Sequence, residues 1–482
     1  MKRKRTPRPL AAACGLLALC LVLPLALLVL FGFALPPQYG ETFLGEMKYK
    51  MERLRSTQGP RIIVVGGSSV PFALKSELVE EQLPGWQVVD FGMYASMGTV
   101  VMLDWAQAEA REGDLFVLAP EQSSQTLSTF FSGEEVWQAA DGAFDLLPLI
   151  DPGRYEQLLA AFPAFAGKKL GYALTGAPEP EGVYARSSFN AYGDIDYPGR
   201  GANILPGGYN PNDPISFDPS VITEEFIDAL NGFARAVTAK GARVVYHFSP
   251  MNAAALAPGT DSADVDAYYD YLDSALLFPI LGDPHDCLLE SGWFYDSNFH
   301  LNDSGATVFT KLLIEDLKVY LEDTSPTGIS LPAMPGLAFS GTAADNSDAD
   351  LFTYRREGDG WVVDGLTDAG RAARRLVLPG AWQGEPVTGV SPTLFAGNTT
   401  VEEVVVQPNI GLLYDGMFSG CTTLTALTLT GTDPAAYTVG GGLRDGADFL
   451  IYVPAEALDQ YRRSYFWQEY DSWILPRGVS TK

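Results

Sequence analysis

The chain has 482 residues, of which 47% are hydrophobic and 19% are charged. A chain of this length corresponds to roughly two to four domains of about 100–200 residues each. Its apolar content excludes a mainly disordered protein. Lys and Arg total 32 against 59 Asp and Glu, which gives a net charge of −27. Because so acidic a surface repels phosphate backbones, nucleic acid is excluded as an expected partner.

The N-terminus carries an apolar segment, Leu10–Leu35, that contains no charged residue. About 20 such residues are enough to cross the core of a membrane as a helix. The basic residues before the segment are Lys2, Arg3, Lys4, Arg5 and Arg8. This order favours a cytoplasmic N-terminus, with the bulk of the chain outside the cell. Residues 1–36 are therefore predicted to be a basic stub and a transmembrane signal-anchor of a single-pass cell-membrane protein. The alternative is a signal peptide that is cleaved near Ala34.

Residues 37–325 are predicted to form an α/β domain. Short apolar runs have the length and composition of buried parallel strands; they are Arg61–Val65, Trp86–Phe91, Asp114–Leu118 and Arg243–Phe248. Helical patterns accompany them; they are Val100–Arg111, Thr223–Lys240, Asp264–Leu276 and Asn302–Glu322. Strands that alternate with helices indicate a layered α/β fold with a parallel sheet. A Gly- and Pro-rich stretch, Pro178–Pro219, interrupts the pattern, and such excursions often carry function.

The C-terminal part of the chain is repetitive. After a predicted linker, residues 326–350, the run Leu394–Val406 is echoed by Met417–Leu429, which begins 23 residues later. This period lies in the range of roughly 20–29 residues that is typical of leucine-rich repeats. The units FAGNTTVEEVVV and FSGCTTLTALTL, and the ending Tyr452–Tyr470, resemble the BspA-like leucine-rich repeat family of bacterial surface proteins. The resemblance implies that residues 351–482 form a small β-solenoid that binds other macromolecules, such as a protein partner.

Three residue types that nucleophilic catalysis needs stand close to the predicted strand and helix ends. Gly66-Gly67-Ser68-Ser69 directly follows the first strand, so the glycines are expected to turn the chain and bring Ser68 to the carboxyl edge of the sheet. Asp296 and His300 come shortly before the last helix. A serine hydroxyl is a weak nucleophile until an imidazole accepts its proton and a carboxylate holds that imidazole. Taken singly each signal is weak, because a glycine-flanked serine is usually only part of a turn.

The combination resembles the SGNH/GDSL hydrolase superfamily over Arg61–Glu322, and in particular its membrane-anchored, envelope O-acyltransferase-like branch. The resemblance implies a flavodoxin-like three-layer parallel sheet. It also implies that Ser68 is the nucleophile, that His300 acts as base and then as acid, and that Asp296 orients His300. The N–H groups of Ser68 and Gly92 are expected to hold the oxyanion. The implied activity is ester hydrolysis or acyl transfer on a cell-envelope polysaccharide, with no metal and no diffusible cofactor.

Two positions depart from the family pattern. The third block of the family normally supplies an Asn that donates to the oxyanion, whereas here Glu121 and Gln122 follow the comparable strand. An ionised carboxylate cannot donate a hydrogen bond, so Gln122 or a backbone N–H is expected to take that place. Asp296 and His300 are four residues apart rather than the usual three, and a loop has to absorb the additional residue.

The candidates for substrate binding are Glu121, His247, Asn252 and Tyr209. His247 and Asn252 lie near the end of one predicted strand, and Tyr209 lies in a loop rich in Gly, Tyr and Asn that could line a sugar-binding cleft. A structural role explains the same residues without any ligand. Because the chain has only 3 His and no spaced pair of them, no metal site is predicted around His285.

Two functions remain open from the sequence. One is a serine esterase or O-acyltransferase that acts on carbohydrate esters. The alternative is a non-catalytic surface protein that uses the α/β fold as a scaffold and the repeats for adhesion. A Ser68 Oγ within about 3.5 Å of one His300 nitrogen, with Asp296 on the other nitrogen, favours catalysis. Separations above about 6 Å favour the scaffold.

Overall fold

The fold is known from a computed structural model, which describes residues 22–180, 182–205, 208–210, 213–335, 348–357, 360–383, 385–464 and 467–477. The protein is an α/β structure with several sheets, and most of the strand pairs in them are parallel. Residues 336–347 of the predicted linker lie outside the described residues.

A parallel sheet organises the N-terminal half. The strands of this half are β1 (Arg61–Gly66), β2 (Gln87–Gly92), β3 (Leu115–Ala119), β4 (Arg243–His247), β5 (Met251–Asn252), β6 (Ile280–Leu281) and β7 (Leu288–Leu289). Five of them form one sheet in the order β2-β1-β3-β4-β6, and each neighbouring pair is parallel. β2 lies on one side of β1, and the later strands β3, β4 and β6 follow on the other side, so the strand order reverses at β1. In such sheets ligands bind at the carboxyl ends of the strands beside this reversal.

Helices connect the strands of this half. They are α1 (residues 22–34), α2 (Met47–Ser56), α3 (Ser69–Ala73), α4 (Ser76–Gln82), α5 (Thr99–Ala108), α6 (Gly133–Ala139), α7 (Tyr155–Thr175), α8 (Glu224–Thr238), α9 (Ser262–Ala275) and α10 (Asp303–Tyr320). The side chains of Thr223, Asp261 and Asn302 accept backbone hydrogen bonds at the starts of α8, α9 and α10. Such caps stabilise a helix start, and these helices therefore begin close to the predicted positions.

Both faces of the sheet are buried. Side chains alternate between the two faces of a strand, so that Ile63 of β1 packs in one core cluster with Trp105 of α5. Its neighbour Ile62 packs in a second cluster with Leu317 of α10. Every residue of β1 is buried, which is the pattern of a strand at the centre of a sheet covered by helices on both sides.

The C-terminal half has a core of its own, formed by residues between Phe352 and Ile474. Its strands are β8 (Phe352–Glu357), β9 (Gly360–Leu366), β10 (Arg375–Val377), β11 (Ala381–Trp382), β12 (Glu385–Val390), β13 (Glu403–Val406), β14 (Leu412–Leu413), β15 (Ala426–Leu429), β16 (Thr438–Val439), β17 (Leu450–Val453) and β18 (Ile474–Pro476). Two short helices, α11 (Asp368–Ala372) and α12 (Leu458–Arg463), accompany them.

The repeated sequence units form adjacent parallel strands. One sheet has the order β10-β13-β15-β17-β18, and Glu403 of β13 pairs with Ala426 of β15, in register with the repeat. The rings of Phe395 and Phe418, which occupy equivalent positions, stack with centroids 5.4 Å apart. A positive φ of 77° at Gly420 closes the turn of its unit, a conformation that glycine adopts without strain. Each unit therefore buries its apolar residues against the next one.

The prediction of an N-terminal transmembrane helix, and with it that of a single-pass membrane protein, is contradicted. Among the residues that the structure describes, none of the helices combines the length and the apolar character needed to span a bilayer. The described part of the predicted segment is α1, whose end packs into the fold: the ring of Phe33 lies 5.7 Å from that of Trp137, and Lys169 Nζ donates to the carbonyl of Gly32 over 3.0 Å. Residues 10–21 of the segment lie outside the described residues.

Candidate functional site

Ser68 meets Asp296 and His300, which come from a distant part of the chain, beyond the carboxyl end of β1. His300 Nε2 lies 2.8 Å from Ser68 Oγ, and His300 Nδ1 lies 2.8 Å from Asp296 Oδ1. The three residues are only 5–7% exposed. With Nδ1 protonated and donating to the carboxylate, Nε2 is left to accept the hydroxyl proton of the serine. The structure thus aligns a hydroxyl, an imidazole and a carboxylate in one hydrogen-bonded chain.

Two glycines allow Ser68 to occupy this position. A Cβ on Gly66 would lie 2.2 Å from the carbonyl oxygen of Ala119, and one on Gly67 would lie 2.6 Å from Glu121 Oε1. Because the carbonyl oxygen of Ala119 is backbone of the neighbouring strand β3, the close approach of β1 and β3 requires glycine at Gly66, whereas a Cβ at Gly67 would require the Glu121 side chain to shift. The chain then enters α3 directly, with Ser68 at its N-cap position.

The four-residue spacing between Asp296 and His300 is accommodated by a closed loop. Tyr295 N–H donates to the carbonyl of His300 over 2.8 Å. Inside the loop, Ser297 Oγ accepts hydrogen bonds from the N–H groups of Phe299 and His300, over 3.2 and 3.0 Å. These bonds hold the two ends of the loop together, so Asp296 reaches the imidazole despite the additional residue.

Two aromatic side chains that the sequence did not single out fix the Asp–His pair. The hydroxyl of Tyr184 donates to Asp296 Oδ2 over 2.7 Å, so both carboxylate oxygens of Asp296 have partners. The ring of Phe72 stacks on His300 with centroids 4.0 Å apart and an interplanar angle of 7°. Because Phe72 lies one helical turn after Ser68, the helix that carries the hydroxyl also supports the imidazole.

Arg200 connects the two segments that carry the site. Its guanidinium is buried and donates to the carbonyls of Phe72, over 2.7 Å, and Leu301, over 3.2 Å. A third hydrogen bond, over 2.6 Å, goes to the carbonyl of Ile195. Burial lowers the pKa of the Arg200 guanidinium. Arg200 and Tyr184 both lie in the Gly- and Pro-rich excursion, whose length was the only sequence signal for them.

Glu121 lies directly beside the serine. Its Oε1 accepts from Ser69 N–H over 2.8 Å and lies 3.3 Å from Ser68 Oγ. The carboxyl group of Asp213 is influenced by the same residues. Burial and the negative charge of Glu121 raise the pKa of Asp213 to about 6, while the charge of His300 lowers this pKa. The serine therefore lies close to carboxyl groups.

The two additional oxyanion donors predicted from the sequence are engaged elsewhere. The N–H of Gly92 donates to Asp90 Oδ1 over 2.9 Å, and the same oxygen is paired with Lys50 over 2.7 Å. The amide group of Gln122 donates to the carbonyl of Ser216 over 3.0 Å. We therefore retain neither as an oxyanion donor. Within the described part of the chain, the N–H of Ser68 itself makes no hydrogen bond.

Three of the candidate substrate-binding residues are satisfied inside the fold. The ring nitrogens of His247 lie 2.7 Å from the carbonyl of Phe248 and 3.0 Å from Asp316 Oδ2. Asn252 is fully buried, and its amide donates to the carbonyl of Gly208 over 2.8 Å. The Tyr209 hydroxyl donates to Glu357 Oε1 of the C-terminal half over 3.0 Å. These contacts give each residue a structural role, and of the four candidates only Glu121 lies against Ser68.

His285 forms a local pair rather than part of a cluster. Its Nε2 lies 2.9 Å from Asp266 Oδ1. In the part of the chain that the structure describes, no three or more His, Cys, Asp or Glu side chains are arranged to hold a metal ion.

Comparison with known proteins gives no family assignment. No protein-family model matches the chain, and no curated protein matches it. Among solved structures, the chain is similar to a leucine-rich repeat protein of T. pallidum, TpLRR, at 19% identity and a TM-score of 0.16 over 22% of this chain and 47% of that one. It is also similar to protein YxiM of Bacillus subtilis, at 14% identity and a TM-score of 0.26 over 55% of this chain and 57% of that one.

The chain thus spans about half the length of these two solved structures.

The raised pKa of Asp213 predicts a pH-dependent change in stability. An acid with a higher pKa in the folded than in the unfolded state binds protons more tightly when folded, so it contributes less stability as pH rises. With a folded pKa of about 6 against an ordinary value of 3.8, the loss develops between about pH 4 and pH 6. Asp213→Asn should therefore be more stable than the wild type at pH 8 and equal to it near pH 4, as measured by urea unfolding at each pH.

Asp218→Asn is the matched control, because the hydrogen bonds from Ser220 lower the pKa of this exposed Asp218. This variant should show no gain in stability at pH 8. A gain for Asp218→Asn, or none for Asp213→Asn, contradicts the electrostatic description of the site.

Proposed function

We propose that this protein is a serine-dependent enzyme that hydrolyses acyl esters of carbohydrates or transfers their acyl groups. The observation that carries the proposal is the chain of two 2.8 Å hydrogen bonds that joins Ser68 to His300 and His300 to Asp296. Such an arrangement serves to activate a hydroxyl for attack on a carbonyl carbon. It meets the distance expected of a general base and its nucleophile.

The steps follow from the order of the hydroxyl, the imidazole and the carboxylate in this hydrogen-bonded chain. Ser68 Oγ attacks the ester carbonyl while His300 Nε2 takes its proton, and a tetrahedral oxyanion forms. His300 then gives that proton to the departing sugar hydroxyl, which leaves an acyl group on Ser68. Water or a second sugar hydroxyl then attacks the acyl-serine while His300 takes its proton, and His300 returns that proton to Ser68 Oγ as the acid or the new ester leaves. Asp296 keeps Nδ1 protonated and stabilises the imidazolium in both halves of the cycle.

Oxyanion stabilisation is the weak point of this site. Ser68 N–H is the donor that remains available for the developing charge, while the Glu121 carboxylate, 3.3 Å from Ser68 Oγ, opposes it. One missing donor in a comparable site costs about 3–4 kcal/mol, or 10²–10³ in rate. Slow turnover is therefore expected as long as Glu121 lies beside Ser68 and no second N–H donor reaches the oxyanion.

The resemblance to the SGNH/GDSL hydrolases is part of the proposal and supplies the substrate class. It rests on Gly66-Gly67-Ser68 after the first strand and on Asp296 and His300 before the last helix. The parallel order of the sheet supports it, since Ser68 lies beside the strand at which the order reverses. For the C-terminal half we propose membership of the BspA-like leucine-rich repeats, which the parallel stacking of its 23-residue units supports.

A second candidate function is a non-catalytic binding protein. The observation that favours it is the engagement of Gly92 and Gln122 in other hydrogen bonds, together with the carboxylate of Glu121 beside Ser68. In that case the triad-like chain is a structural link between α3 and the loop before α10. The two candidates differ in whether Ser68 reacts.

The first prediction of this proposal concerns the nucleophile. Ser68→Ala removes the attacking oxygen, so kcat for a chromogenic acetyl ester should fall by roughly 10⁴-fold or more. Ser69→Ala is the matched control: Ser69 Oγ is buried and, within the described residues, has no hydrogen-bond partner. This control should keep most of the activity. Equal rates for Ser68→Ala and the wild type would favour the binding protein.

The second prediction concerns the carboxylate beside the nucleophile. Glu121→Gln removes the opposing charge and supplies an N–H donor of nearly the same shape, so kcat should rise by about ten-fold or more. Glu112→Gln, the same change at an exposed site near the opposite end of β3, should leave kcat as it is. A fall in kcat for Glu121→Gln would mean that Glu121 supports the reaction, and the description of the oxyanion site would be wrong.

A further inference from the structure

A groove with a mixed polar and apolar lining lies between the α/β half and the end of the C-terminal half. It consists of two adjoining clefts of about 520 and 380 Å³. The residues that line both clefts are Leu44, Tyr94, Gln138 and Lys168 from the α/β half, and Gln468 and Glu469 from the segment after α12. Clefts of roughly 300–1,000 Å³ are the size in which proteins bind ligands.

The groove lies next to the candidate site. Tyr184 lines the larger cleft, and its hydroxyl contacts Asp296 over 2.7 Å and lies 3.5 Å from His300 Nδ1. Tyr94, which also lines the groove, comes shortly after β2, the neighbour of β1 in the sheet. Tyr184 thus lines the groove and also contacts the Asp–His pair.

The lining has the chemistry of a carbohydrate site. The half-buried rings of Tyr172 and Tyr184 offer apolar surface with polar edges, whereas Tyr39 and Tyr94 are buried behind the lining. Gln138 of the α/β half and Gln468 of the C-terminal half each carry an amide that both donates and accepts, and the Gln138 amide also donates to Glu134 over 3.3 Å. Sugar rings present apolar C–H faces, and their hydroxyls both donate and accept hydrogen bonds. Aromatic rings and amides in the lining of the groove match these two properties.

The charges of the groove argue against a polyanionic ligand. Two of its cations are already paired, Lys168 with Glu134 over 2.5 Å and Arg462 with Asp471 over 3.1 Å. Glu469 adds a further negative charge to the lining. An anionic polymer would meet these carboxylates without a matching set of free cations, so an uncharged glycan is favoured.

We propose that this groove binds an O-acetylated, uncharged oligosaccharide along both halves of the protein and presents one of its esters to Ser68. The inference rests on the proposed function and specifies its substrate class. The C-terminal half then acts as one wall of the substrate site, and Gln468 is a specificity-determining residue.

The kinetic experiment blocks one wall of the groove. Gln468→Trp should lower the ratio of kcat/KM for acetylated xylotetraose to kcat/KM for 4-nitrophenyl acetate by about ten-fold or more, because the indole displaces the oligosaccharide. Gln460→Trp is the matched control: Gln460 is exposed on α12 and lines neither cleft, so it should leave the ratio as it is. An unaltered ratio for Gln468→Trp overturns the inference while the small-ester activity upholds the proposed function.

A binding experiment tests the groove without turnover. The Ser68→Ala variant of the full chain should bind acetylated xylotetraose in calorimetry, and the added Gln468→Trp change should weaken that binding by at least about ten-fold. Acetylated tetragalacturonate, of the same length but anionic, should bind more weakly than the uncharged probe. Absence of xylotetraose binding, or preference for the anionic probe, overturns the inference whether or not the enzyme turns over small esters.

Discussion

The hydrogen bond between Ser68 Oγ and His300 Nε2 is the interaction on which the functional account depends. It joins the turn after β1 to a loop that lies 232 positions later in the chain. Neither side chain reaches the other without a specific backbone arrangement: Gly66 allows β1 to approach β3 closely, and Ser297 closes the loop that carries His300. Phe72 and Arg200 then hold these two segments together.

The same surroundings have opposite effects on the two charges of the proposed reaction. The carboxylates of Asp296, Glu121 and Asp213 favour a positive imidazolium on His300, because opposite charges attract more strongly where water is largely excluded. They disfavour the negative oxygen that forms on the substrate. The site is therefore better suited to deprotonate Ser68 than to stabilise the oxyanion, and Glu121 is the residue that determines the balance.

Local signals in the sequence predicted much of the α/β half, whereas contacts between distant residues could not be predicted. Apolar runs and capping residues such as Asn302 mark strands and helix starts, and the Ser, His and Asp motifs mark the three side chains of the site. The hydrogen bond from Tyr184 to Asp296 joins residues 112 positions apart and leaves no local pattern. The engagement of Gly92 by Asp90 depends on a buried partner. The transmembrane prediction was wrong because apolar composition alone does not reveal that the end of α1, at Phe33, packs against the fold.

The most direct test of an activated serine is covalent labelling of the full chain with a fluorophosphonate, followed by mass spectrometry of the peptides. Attack by an activated hydroxyl forms an O–P bond and expels fluoride, so the account predicts one phosphonylated peptide that carries the label on Ser68. The label should disappear in His300→Gln, in which no imidazole takes the proton. An unlabelled Ser68, or labelling that persists equally in His300→Gln, would contradict the account.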